Sequence, residues 1–124
     1  MFDLNDLKKL NDTYGHEKGD EYIKNGCRLI CDNFAHSIVF RIGGDEFVAV
    51  LWESDFENRD RLVRDFRDKL SYIKASDKSP EKKVSIACGM AVLDCRNGVS
   101  VDETLKQADY AMYEDKRRIK EENE

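Results

Sequence analysis

The stretch Ile38-Val39-Phe40-Arg41-Ile42-Gly43-Gly44-Asp45-Glu46-Phe47-Val48-Ala49-Val50-Leu51 decides how this chain folds. Two apolar runs, Ile38–Ile42 and Phe47–Leu51, flank a glycine pair, which reads as a β-hairpin. The tip also carries two adjacent carboxylates, Asp45 and Glu46. Glycine at Gly43 and Gly44 lets a backbone approach a phosphate where any side chain would collide. The carboxylates can then hold a hard cation against that phosphate. The tip is a candidate nucleotide-handling site.

Outward from the hairpin, periodicity sets the other elements. Met1-Phe2-Asp3 reads as the end of a strand, and a short helix is expected from about Asn5 to Tyr14, broken at Gly15. A second helix spans roughly Glu17–Phe34, where Ile23, Cys27, Ile30 and Phe34 recur at helical spacing. After the hairpin, Ser54-Asp55-Phe56-Glu57 has the form of a capping box, opening a helix with the stripe Leu62, Phe66, Leu70, Ile73. Ala75–Lys83 is polar, contains Pro80 and is expected to be a loop; Val84–Leu93 has a strand pattern. Ser100-Val101-Asp102-Glu103 is a second capping box, and the final helix presents Val101, Leu105, Ala108 and Met112 on one face. This order predicts an α/β (α+β) layer of helices on a mixed sheet, as in ferredoxin-like split βαβ arrangements.

Composition narrows the function classes. With 124 residues the chain is one domain around a single core. It is 40% hydrophobic and 38% charged, and its formal net charge of −5 argues against coating nucleic acid, which needs a basic face. No apolar run approaches membrane-spanning length and no signal peptide is visible, so the expectation is a cytoplasmic domain without direct membrane contact. A membrane-anchored parent chain is compatible with this. The four cysteines lack metal-site spacing and have only His16 and His36 for company; they are expected to be small, buried, reduced thiols.

A second polar constellation lies in Asp3–Asp20. Asp3 ends a strand just before a helix, where its carboxylate can share a metal with one from a neighbouring hairpin. The free N–H groups around Asp6 and Leu7 form an anion site, and Lys8 can add a mobile charge for a terminal phosphate. Asn11 and Asp20 carry the donors and acceptors to read a purine edge, and a carboxylate suits the N1–H and N2–H of guanine. The same residues have ordinary uses: lysines on solvated helix faces, Asn11 in a turn, Asp20 as a helix cap, Arg41 as a strut to a carboxylate, and His16 as a hydrogen-bonding loop residue. Crowded carboxylates are different, because Asp3, Asp45 and Glu46 would repel without a cation.

Asp3–Asp20 together with Arg41–Phe47 resembles the signature of GGDEF domains, the catalytic domains of diguanylate cyclases. Val84–Gly89 and Ala108–Lys116 resemble two further blocks of that family, so the likeness covers nearly the whole chain in four ordered segments. The resemblance implies a nucleotidyl-cyclase-like fold and conversion of two GTP into cyclic di-GMP and two pyrophosphates. It implies Mg²⁺ (or Mn²⁺), two ions per GTP, held by Asp3, Asp45 and the Leu4 carbonyl. Glu46 would support the metal or take the proton of the attacking ribose 3′-hydroxyl. Asn11 and Asp20 would bind guanine; Lys8, Lys116 and the amides at Asp6 and Leu7 would hold the outer phosphates. Each domain would hold one GTP, so turnover requires a homodimer, with a sensor domain expected upstream in the parent chain.

The departures also carry expectations. Asn5 and Leu7 replace a more usual aspartate and phenylalanine. The family's inhibitory Arg-x-x-Asp motif is replaced by Phe34-Ala35-His36-Ser37, implying weak product inhibition through that site. Residues 1–124 are expected to be one GGDEF domain lacking most of its first strand, the segment before it, and the usual closing strand. A degenerate GGDEF domain, binding GTP as a regulatory or interaction module, is the alternative; a cyclase of altered base choice is a third reading.

Overall fold

The structure is a computed structural model describing residues 1–76 and 79–123. In chain order it comprises β1 (Phe2–Leu4), α1 (Leu7–Tyr14), α2 (His16–Asn33), β2 (Ile38–Arg41), β3 (Glu46–Val50), α3 (Glu53–Glu57), α4 (Arg59–Ser76), β4 (Ile86–Cys88) and α5 (Val101–Glu122), with a 3-10 turn at Cys95–Asn97. The sheet order is β2-β3-β1-β4. Helices on a sheet and the split βαβ connection are as expected. The mixed sheet is not: every described pairing is antiparallel. β2 runs in the same sense as β1, but the tight hairpin drops β3 between them, so the two like-directed strands never touch.

The core forms where α2 and α4 cover the sheet. Phe2, Phe34 and Phe66 meet with ring centroids 5.3–5.8 Å apart, and Leu4, Ile30, Phe47, Val84 and Ile86 complete the cluster. Aromatic groups at this separation gain specific edge and tilted contacts beyond the area that they bury. The buried stripe of α2 is Tyr22, Gly26, Ile30 and Asn33, with Ile23 and Cys27 only partly covered. His16 is the first residue of α2, not a loop residue. No helix among the described residues is long and apolar enough to cross a membrane.

Several local expectations give way to the structure. Ser54 lies within α3 and does not cap it; Trp52 is the N-cap, with no side-chain bond, and Glu53 takes a left-handed φ of 51° that starts the turn early. The aspartate of that supposed box, Asp55, is buried and accepts from His36 N–H and Ser37 Oγ, clamping the loop before β2. Ser100, in contrast, does cap α5, its Oγ accepting from Glu103 N–H at 3.1 Å. On α5 only Ala108 and Met112 of the expected stripe are buried; Val101 is 59% exposed, because the sheet beneath it ends at β4. The expected strand over Val84–Leu93 shrinks to Ile86–Cys88, since β1 offers partners only that far. Of the expected loop over Ala75–Lys83, Ala75 and Ser76 belong to α4, and residues 77–78 lie outside the described residues. Cys88 is the one buried thiol; Cys27 is half-buried, Cys31 and Cys95 are exposed, and all four are free.

α5 approaches the sheet over Gly89. A Cβ there would lie 2.1 Å from Met112 N and 2.4 Å from Ala108 O, both backbone atoms that cannot swing aside. One turn later Asp115, also buried, accepts from Cys88 N–H at 2.9 Å and pairs with Arg118. On the other side of β4, Tyr22 is buried; its hydroxyl donates to Asn5 O at 2.7 Å and accepts from Ser85 N–H at 3.1 Å.

Gly89→Ala is expected to cost about 3 kcal/mol by overpacking, read as a lower denaturation midpoint at unchanged m-value. Burial pushes the Tyr22 phenol up to about 12 from an ordinary 10.0. Above pH 10 the unfolded chain releases this proton while the folded chain keeps it. Stability should therefore fall as pH rises from 10 towards 12, by up to about 3 kcal/mol. Denaturant titrations should show that slope in the native chain and a flatter one in Tyr22→Phe.

Candidate functional site

The site forms where the end of β1 meets the β2–β3 hairpin. Across the ladder Asp3 pairs with Glu46 and Phe2 with Phe47, so the pleat sends both phenylalanines to the core and both carboxylates to the opposite face. Leu4 N–H donates to Asp45 O at 2.8 Å, fixing the hairpin tip to the strand end. Asp3, Asp45 and Glu46 each place a carboxylate oxygen within 4.8 Å of the others. Among the described residues this is the one group of three such side chains close enough to share an ion.

Its electrostatics are unfavourable in isolation. Asp3 is 6% exposed; burial pushes its carboxyl above the usual range, and the neighbouring Asp45 adds to this. Burial, then Asp3 and Asp45, also raise Glu46. Lys116 on α5 opposes the shift, donating to Asp3 Oδ2 at 2.9 Å, and its own pKa rises through that bond. Asp3 Oδ1 is buried without any partner. An orphaned carboxylate oxygen beside two further carboxylates is the donor set of a hard divalent cation, so these residues fit Mg²⁺ or Mn²⁺.

The hairpin tip is braced from within. Ile42 N–H donates to Glu46 O, while Arg41 Nε and a terminal guanidinium nitrogen donate to Gly43 O at 3.1 Å and Gly44 O at 2.7 Å. Arg41 is thus a strut, as expected, but to turn carbonyls and not to a carboxylate. Neither Gly43 nor Gly44 has a left-handed φ, and a Cβ at Gly44 would meet nothing within 4 Å. The turn therefore does not itself demand glycine.

α1 begins next to this cluster. Asp6 is its N-cap at φ 61°, with no side-chain cap bond, and the first-turn amides from Leu7 onward lack intrahelical acceptors. Left-handed backbone at a non-glycine residue costs free energy and must be held by its surroundings. Asn5 does the holding: its N–H donates to Ser85 O, its Nδ2 to Ser85 Oγ, and its carbonyl accepts from Tyr22. Lys8 is exposed on this turn, Leu7 half-buried. Farther along, Asn11 packs so tightly on α2 that a Cβ at Gly19 would lie 1.6 Å from Asn11 Oδ1, and that buried oxygen has no partner. Asp20 follows as an exposed residue inside α2; Gly15, and not Asp20, caps that helix.

The structure thus gathers Asp3, Asp45, Glu46 and Lys116 at one point, with the Asp6–Leu7 helix entrance on the same strand end. Asn11 and Asp20 lie apart at the α1–α2 pair. Lys116, expected at outer phosphates, is paired here with Asp3. Sequence reasoning assigned Asn5 no bracing role and did not single out Tyr22 or Ser85. The Tyr22, Gly26, Ile30, Asn33 spacing was the one available signal for the tyrosine.

Comparison with known proteins accounts for this arrangement. The chain is 36% identical over 121 residues to the diguanylate cyclase DosC of Escherichia coli K12, covering 95% of this chain and 26% of that protein. It is 32% identical over 121 residues to the probable diguanylate cyclase DgcT of the same strain, covering 94% and 26%. The chain therefore spans about a quarter of the length of these relatives. The fold matches the active GGEEF domain of a diguanylate cyclase from Vibrio cholerae with a TM-score of 0.75, at 24% identity, over 94% of this chain and 74% of that one. A family model described as diguanylate cyclase, GGDEF domain, matches residues 1–122, and on that match the chain belongs to the GGDEF domain family.

Proposed function

We propose that this chain is a cyclase catalytic domain that condenses two GTP into cyclic di-GMP and two pyrophosphates. The observation that carries this reading is the convergence of Asp3, Asp45 and Glu46 within 4.8 Å around the unpartnered Asp3 Oδ1. Bound there, Mg²⁺ or Mn²⁺ would neutralise charge on the phosphates and lower the pKa of an attacking hydroxyl. Asp3 and Asp45 would hold the cation, together with the Leu4 carbonyl at the strand end and with Glu46 in support.

The remaining roles belong to the chain's own groups. Gly43 and Gly44 let the braced hairpin pass close to the nucleotide. The amides at Asp6 and Leu7, with Lys8, bind the outer phosphates, and Asn11 with Asp20 selects guanine. The ribose 3′-oxygen of one GTP attacks the α-phosphorus of the other, pyrophosphate leaves, and the hydroxyl proton passes to Glu46. Because each domain presents one nucleotide, two copies must face each other for both bonds to form. The greater length of the relatives leaves room in a parent chain for a sensor domain, and the expected setting is the cytoplasm.

The test is product formation from GTP and Mg²⁺, followed by mass spectrometry. Asp45→Ala should lower turnover by about a thousandfold or more while the domain still melts cooperatively. Native-like turnover by that variant would remove the metal assignment, and a native chain that binds GTP without turning it over would support a regulatory binding module. Asp20→Ala should lose about tenfold or more of the preference for GTP over ATP in competition binding. An unchanged preference would take Asp20 out of base recognition.

A further inference from the structure

Lys116 and the cation would share one carboxylate, that of Asp3. The Lys116 ammonium lies 2.9 Å from Asp3 Oδ2, while Oδ1 of that carboxylate is buried and unpartnered. A divalent ion sharing Asp3 with Asp45 and Glu46 would lie about 2.1 Å from its oxygens. An ammonium on the same carboxylate would then stand within about 4 Å of a double positive charge. That repulsion weakens the ammonium's hold on Oδ2 once the cation is bound.

The surroundings of Lys116 suit a group that leaves. Its backbone is fixed, since α5 is pinned by Ala108 and Met112 over Gly89 and by Asp115 to Cys88 N–H. Its side chain is 49% exposed, and among the described residues Asp3 alone accepts from the ammonium. A long stem on a rigid base, half in solvent, can change partners without moving the helix.

We infer that Lys116 is a built-in counterion of the carboxylate cluster, holding Asp3 until a divalent cation displaces it and frees the ammonium for the substrate's phosphates. This rests on the reading that Asp3, Asp45 and Glu46 bind such a cation. It orders the events: the charge that grips the outer phosphates becomes available once the cation is in place. Lys116 is then a positioning residue for metal entry as well as a phosphate ligand.

The experiment is calorimetric titration with Mn²⁺ alone, without nucleotide, at low ionic strength. Lys116→Met should bind Mn²⁺ at least threefold tighter than the native chain, because the competitor is gone, and Lys116→Arg should bind like the native chain. With Mn²⁺ saturating, Lys116→Met should bind a non-hydrolysable GTP analogue more weakly. In the native chain, the Lys116 side-chain NMR signals should shift on adding Mg²⁺, a readout that needs no variant to fold. Unchanged or weaker Mn²⁺ binding by Lys116→Met, or an unmoved Lys116 signal, overturns the inference but leaves the cation site standing. Equal Mn²⁺ binding by the native chain and Asp3→Asn overturns both.

Discussion

A carboxylate in the central strand is the constraint around which this domain is arranged. β1 is three residues long and paired on both edges, so its side chains have no freedom of face. Phe2 and Leu4 must enter the core, and Asp3 must then stand buried on the other side. A buried ionised group is tolerated only with partners. Lys116 supplies one, and the second oxygen is left without any. The same geometry gathers the three carboxylates that the proposed function uses to hold a cation.

The neighbouring helix entrance is held by a different device. Tyr22, Asn5 and Ser85 form a closed set of hydrogen bonds linking α2, the β1–α1 junction and the approach to β4. That set fixes the residue before Asp6 and so tolerates the left-handed turn that opens α1. The backbone that faces a phosphate in the proposed function is therefore positioned by groups that need not touch the ligand. Asn11 shows the same economy: Gly19 yields the space in which its side chain sits.

Much of this was legible in the sequence. The hairpin, the helix order and the Asp3–Asp45–Glu46 set follow from alternation, helical spacing and crowded carboxylates. The α2 stripe was read only in part, since Tyr22 and Gly26 are buried there and Ile23 and Cys27 only partly so. What failed depended on tertiary partners. Ser54 carries a capping signature, but Asp55 is claimed by His36 and Ser37, so the helix starts elsewhere. Val84–Leu93 alternates like a strand, yet a strand exists only where another can pair with it, and β1 is short. The place of Lys116 was invisible, because a lysine on a helix gives no local sign of a carboxylate brought to it from the far side of the fold.

The ion pair between Asp3 and Lys116 joins residues 113 positions apart. A contact of that span closes a very long loop, and such contacts form late in folding because their entropy cost precedes their reward. During synthesis the cluster at the hairpin tip would be exposed, with its carboxylates uncompensated, until α5 emerged and docked. Fraying of α5 would likewise remove Lys116 and the Asp115 anchor together. The centre thus reports on the integrity of nearly the whole chain, and a cluster with its counterion in place marks a domain that has finished folding.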